Sequence, residues 1–191
     1  ENKEADYLII THKNLLDGAR DYADFRSGSQ GGSYNVAIAD VQDLYNHFGY
    51  GIDRHFYAIK NLAKHLKKEW DSLSHIFLLG KGLSYTLMRT SDNINSFDGV
   101  RFFVPTYGVP SSDNMLFSEE NKSDPHFALG RLAALSNQEV RDYLEKIIDY
   151  EKVYSAPQTL EDKFWTKRVL HLSGGGNVNE QSLIKNNLLN M

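Results

Sequence analysis

The chain has no cysteine among its 191 residues. That excludes disulfides, thiolate metal sites and a cysteine nucleophile from these residues. Proline is scarce as well, four in all, so no proline-rich linker divides the sequence. No apolar run approaches the ~18 residues that a membrane-spanning helix needs, and no membrane span is expected. The opening, ENKEADYLII, lacks both a basic segment and a hydrophobic segment of the signal-peptide kind. It starts close before a strand pattern, as a trimmed or mature polypeptide would. Basic excess is missing too. Net charge is −4, and the most basic run, 60–68, has the spacing of a solvated helix face, so no nucleic-acid partner is expected.

What is present is a core. Apolar residues make up 41% and aromatics 12%, with 11 Tyr and 10 Phe, enough for a packed domain. DYLIIT, YNVAIAD and HIFLLG are short apolar runs of the type buried on both faces of a parallel sheet. Between them, Leu15, Ala19, Tyr22 and Ala23 recur at helical spacing, as do Phe56, Ile59, Ala63, Leu66 and Trp70. The first 80 residues therefore read β-α-β-α-β, which predicts an α/β fold with a mostly parallel sheet flanked by helices. A long segment, 81–124, follows the third strand and has little periodicity. It leaves from the carboxyl edge, where open α/β sheets bind ligands. HFALGRLAA reads as a fourth strand. Ser136 and Glu139 form a capping box at the head of a long helix, whose buried stripe is expected to be Val140, Tyr143, Leu144, Ile147, Ile148 and Tyr154. A short helix is expected from Pro157 to Trp165. KRVLHLS reads as a fifth strand, then come Gly174, Gly175, Gly176 and an amphipathic helix with Leu183, Ile184, Leu188 and Leu189.

Two strand-then-glycine turns invite a nucleotide reading and fail it. The dinucleotide fingerprint needs a third glycine where Tyr85 and Asn179 stand, and neither turn fits the phosphate-loop pattern. The seven histidines contain no H-x-x-x-H pair. Carboxylates cluster at Glu119, Glu120 and Asp124, and at Asp92 and Asp98, but Ile94 stands where a calcium loop needs an oxygen ligand. Calcium is the one cation these oxygens could take, a solvated loop is the ordinary reading of both clusters, and no cofactor is assigned.

The order of segments carries more than any single motif. ADYLIIT, DLYNHFGYG, IFLLGKG, VPTYGVPSSDN, FALGRLAALSNQEVRDYLEKIIDYE and WTKRVLHLSGG together resemble the gingipain-type cysteine peptidases, a group that includes the signal peptidase of the type IX secretion system. The resemblance runs from residue 5 to the end. Its most specific pieces are the run from Tyr45 to Gly51 and the Gly-Arg-Leu strand feeding a helix that reaches Tyr150 and Glu151. It implies a caspase-like, three-layer catalytic domain of two α/β halves, with the cysteine and a Gly-His-Gly histidine in the second half.

On that implication, residues 1–166 are the first α/β subdomain, and 167–191 are the opening strand and helix of a truncated second one. The chain is then a fragment of an endopeptidase, scaffold and cleft wall without the nucleophile, and no residue of it is catalytic. Its partners are the remainder of its own domain and, in the parent, a peptide or protein substrate. Its location is extracytoplasmic: secreted, periplasmic or at the cell surface. Asp113, Asn177 and Glu180 are the residues the resemblance places nearest the substrate cleft. In gingipains a carboxylate that assists the histidine lies in the glycine-rich turn; here the turn Ser173 to Gly176 has no acid. A non-catalytic gingipain-like binding or scaffolding module is the alternative.

Overall fold

The computed structural model describes residues 4–84, 102–120, 122, 124–156, 159–170 and 174–190. Those residues divide between two compact units, Glu1–Tyr150 and Glu151–Met191.

Unit one is built on four parallel strands: β1 (Tyr7–Thr11), β2 (Val36–Asp40), β3 (His75–Leu79) and β4 (Ala128–Leu132). Their order across the sheet is β2-β1-β3-β4. Every residue of β1 is buried, and so are Ile76 to Leu79 of β3, because these two strands are central and covered on both faces. That is why they read as unbroken apolar runs rather than alternating ones. The edge strands β2 and β4 are only partly buried.

Helices α1 (Leu16–Ser27), α2 (Val41–Phe48) and α3 (Tyr57–Glu69) fill the first two crossovers. The expected stripes face inward: Leu15, Ala19, Tyr22 and Ala23 are buried around α1, as are Phe56, Ile59, Ala63 and Leu66 around α3. The segment after β3 contains a short helix not anticipated from the sequence, α4 (Asn114–Phe117), whose Leu116 and Phe117 are fully buried. Its four residues are too few to show a period. Within that segment Val109-Pro110 is a cis peptide bond. The clusters at Asp92 and Asp98 lie outside the described residues.

Helix α5 (Asn137–Ser155) leaves the fourth strand, and the expected box opens it: Ser136 Oγ accepts from Glu139 N at 3.3 Å. Glu139 in turn accepts from Leu135 N, one residue before the cap. Of its expected buried stripe Val140 alone is fully buried, Tyr143, Leu144, Ile147 and Ile148 are half-buried and Tyr154 is exposed. At Val140 helix α5 is pinned to α1 at a close approach. Asn137 Oδ1 accepts from Gly18 N at 2.9 Å, and Asp21 pairs with Arg141 at 2.7 Å.

Unit two holds a 3₁₀ turn at Phe164–Lys167 and helix α6 (Val178–Leu189). Thr159 and Asp162 exchange hydrogen bonds ahead of the 3₁₀ turn, so the short helix expected there is a tight turn instead. The expected fifth strand over 167–173 begins inside that 3₁₀ turn; residues 168–170 join no ladder, and 171–173 lie outside the described residues.

A methyl group added at Gly18 would sit 2.8 Å from Val140 Cβ. Alanine is favoured over glycine in a helix by about 1 kcal/mol. Overpacking against a branched side chain in a filled core costs about 1–3 kcal/mol. The clash should therefore win, and Gly18→Ala should lower the urea midpoint at unchanged m-value. A variant more stable than the native chain would show that α1 and α5 do not meet this closely.

Candidate functional site

The register places Asp40, Thr11, Leu79 and Leu132 in one row at the carboxyl edge of the sheet. Thr11 Oγ1 donates to Leu79 O at 2.9 Å and ties the two central strands together there. Everything that crosses this edge is a loop or a helix start, so polar side chains concentrate on it.

Arg131 organises the edge. It is the fourth residue of β4, opposite Leu78. Its Nε and Nη2 donate to the two oxygens of Asp113 at 2.6 and 2.8 Å. Nη1 donates to the carbonyls of Gly80 and Val104 at 2.7 and 3.0 Å, and Nη2 also to Pro105 O at 3.1 Å. All three guanidinium nitrogens are engaged, in the planar fork geometry that only arginine offers. The pair is shielded, with side chains 14% and 23% exposed.

Around this clamp the chain is tightly folded. Gly80 turns at φ +142°, and a Cβ there would meet Phe103 Cβ at 2.9 Å. Lys81 O accepts from Phe103 N at 2.8 Å, and Lys81 N donates to Ala134 O. Ser112 N donates to Tyr107 O at 2.7 Å, closing a small loop that delivers Asp113 to Arg131. Phe56 stacks on Tyr107 with centroids 4.2 Å apart.

On the other side of the edge stand His12, Asp40 and Tyr45. His12 Nδ1 accepts from Asn14 N, which leaves the proton on Nε2 in the neutral ring, and the ring packs on Phe103 at 5.0 Å. Burial lowers the His12 pKa; Asp40 opposes this, while Lys13 and Arg54 add to it. Asp40 caps α2 by accepting from Gln42 N, and Gln42 donates to Asp53 at 2.6 Å. The Tyr45 hydroxyl is buried and has no hydrogen-bond partner among the described residues. Burial raises its pKa well above the usual phenol value, so it stays a neutral donor.

Of the residues expected at a cleft, Asp113 lies on this edge with its carboxylate occupied by Arg131. Asn177 and Glu180 are in unit two and form the amino cap of α6. Asn177 Oδ1 accepts from Glu180 N at 3.0 Å, and Glu180 Oε2 accepts from Gly176 N at 2.8 Å. Their three-residue spacing is that of a capping box, a signal missed in the sequence. Arg131 stands in the Gly-Arg-Leu motif, yet sequence reasoning misses it as a site residue. The signal was one charged side chain inside an otherwise apolar strand. Among the described residues no group of three or more acidic or histidine side chains is placed to hold a metal ion. No helix among them is long and apolar enough to cross a membrane. His75, at the opposite edge, stacks flat against Tyr7 at 5.6 Å, as a rim histidine does.

The sequence matches the model of peptidase family C25 over residues 1–190. The chain belongs to the gingipain family of cysteine peptidases. No curated protein matches the chain. Among solved structures, gingipain-family membership is accompanied by a likeness to dimeric latent PorU from Porphyromonas gingivalis. The TM-score is 0.62 at 17% identity, over 95% of this chain and 20% of the other. The chain thus spans about a fifth of that chain's length, and the likeness is one of fold: the all-parallel sheet flanked by helices is the caspase-like peptidase framework.

Two outcomes test the geometry of this gingipain-family edge. Arg131→Lys keeps the charge but cannot fill the fork, and Arg131→Met leaves Asp113 and three carbonyls without donors. Breaking a shielded pair costs about 3 kcal/mol. Arg131→Met should lose about that much in urea unfolding and Arg131→Lys more than half of it; a loss under 1 kcal/mol for both would show the clamp to be incidental.

The second concerns pH. The folded His12 pKa lies below its ordinary 6.5, so the unfolded chain binds more protons just under that pH, and stability falls as acid is added. His12→Asn retains a capping acceptor without titrating. It should flatten the stability profile from pH 6.5 downward, whereas Glu119, held at about 2 by Lys122 and Lys67, acts only at lower pH. Equal slopes in the two proteins would remove His12 from the account.

Proposed function

We propose that this chain is the framework and cleft wall of a gingipain-type cysteine endopeptidase domain, with the reactive thiol and its histidine supplied by polypeptide outside these 191 residues. The observation that carries the reading is a peptidase-family match over residues 1–190 in a sequence with no cysteine. In such a domain a thiolate attacks the scissile carbonyl, and a histidine protonates the leaving amine. The thiolate cannot come from here, and none of the seven histidines stands in a Gly-His-Gly setting, so the role assigned to this chain is positional. The sheet supplies a rigid carboxyl edge, and the segment around 102–113, fastened by Arg131, lines one side of the substrate path.

Asp113 would serve that wall through Arg131 rather than by touching substrate. Asn177 and Glu180 would shape the pocket floor at the head of α6. The substrate would be a peptide or protein, and the location extracytoplasmic, as membership of the gingipain family supports. A non-catalytic binding module is favoured by one observation: the turn Gly174 to Gly176 carries no acid, and Gly176 N is taken by Glu180 as part of a helix cap. A parent protein with neither cysteine nor Gly-His in its remaining sequence would decide for that module.

The purified 191-residue chain should not hydrolyse a quenched fluorescent peptide library above the blank. In ¹⁵N spectra, any peptide from that library that binds should shift the amides of His12, Gly80 and Phe103 most. Turnover by the chain alone, or shifts concentrated away from the carboxyl edge, would contradict the reading.

A further inference from the structure

A second place in unit one is built to receive a ligand, and it lies in the helix layer rather than at the carboxyl edge. A cavity of about 250 Å³ opens on the flank of α3. Lys60, Lys64 and Lys67 stand along one wall, spaced four and three residues apart, so their side chains share one helix face. Facing them are Phe117 and Ser118 from the end of α4. Three like charges on one face repel each other, and an anion between them relieves that repulsion.

The anions present do not suffice. Lys67 donates to Glu119 at 2.9 Å, but Glu119 is shared with Lys122 at 2.7 Å. Lys60 donates to the carbonyl of Met115 at 3.0 Å and lies over the Tyr107 ring, a neutral environment. Burial and the nearby Lys64 lower its pKa. Lys64 has no hydrogen-bond or ion-pair partner among the described residues. Glu120, exposed at the rim, is the further carboxylate of the lining, and its charge partly opposes the lowering of the Lys60 pKa. The wall also holds a buried hydroxyl, Ser118 Oγ, without a hydrogen-bond partner among the described residues.

The shape adds to the charge. Ala63, Phe117 and the methylene stems of the lysines make the lining largely hydrocarbon, with cationic heads at one end. The volume is just under the range of about 300–1,000 Å³ typical of sites for drug-sized ligands. A fully polar ion such as phosphate would leave oxygens against hydrocarbon. A carboxylate on a short apolar stem matches both ends.

We propose that this cavity binds a small organic carboxylate, its oxygens held by Lys64 and Lys67 and its apolar body laid against Ala63 and Phe117. The site does not rest on the peptidase reading. Its source is a free short-chain acid or an acidic side chain of a bound peptide, which share this chemistry.

The test titrates the full chain with propionate and follows the amides of Ser118, Glu119 and His126 in ¹⁵N spectra, with a capped glutamate peptide as the parallel arm. Saturable shifts confined to this cavity are expected with at least one of them. Lys64→Ala should weaken binding about tenfold, the loss of one charge-assisted contact. Lys68→Ala removes an exposed lysine from the same helix outside the cavity and should leave binding unchanged. Inorganic phosphate at equal ionic strength should bind more weakly than propionate. Shifts that rise without saturation, phosphate matching the carboxylates, or equal effects of the two lysine variants would each overturn the proposal.

Discussion

One guanidinium fixes how the described chain crosses the carboxyl edge of its sheet. Without Arg131, the carbonyls of Gly80, Val104 and Pro105 and the carboxylate of Asp113 would converge on one point with no donor among them. Four acceptors facing each other repel, and water could not easily satisfy them where the side chains are mostly shielded. With it, the turn after β3, the extended piece at 102–106 and the loop before α4 become a single rigid body. The apolar contacts of Phe103, Val104, Leu116 and Phe117 beneath then pack against fixed backbone. A parallel sheet needs such a device, because its crossovers leave from one edge and expose their loops there together.

The sequence shows the sheet plainly and the edge hardly at all. Strands β1 and β3 are buried on both faces, so their runs of Leu, Ile and Phe could be read directly, and the helix stripes at Ala19, Tyr22, Ile59 and Leu66 followed from period alone. The capping box at Ser136 was legible because a cap needs only a fixed local spacing. Arg131 and Asp113 are 18 residues apart and meet through tertiary folding, so no spacing rule joins them. Helix α4 is shorter than the period by which helices are recognised. Thr159 and Asp162 made a turn where a helix was expected, because their side chains compete for the backbone donors.

The gingipain family assignment and the chemistry of the edge point the same way. On the proposed reading a chain without cysteine serves thiol chemistry by positioning, and the described edge suits that role: Asp113 is paired with Arg131, burial lowers the His12 pKa, and burial keeps the Tyr45 phenol protonated. The helix layer is different in kind. There, among the described residues, lysines outnumber carboxylates, and a buried hydroxyl has no partner in a largely hydrocarbon lining. The first arrangement fixes backbone, and the second leaves positive charge that the proposed carboxylate would meet.

Native-state hydrogen exchange of the 191-residue chain tests the central claim most directly. If Arg131 welds the crossing segments to the sheet, the amides of Phe103 and Lys81 should open only with the global free energy, alongside those of Ile76 and Leu78. Exchange of Phe103 and Lys81 through low-energy local openings, while the strands remain protected, would show the edge to be an ordinary surface loop and would contradict the account.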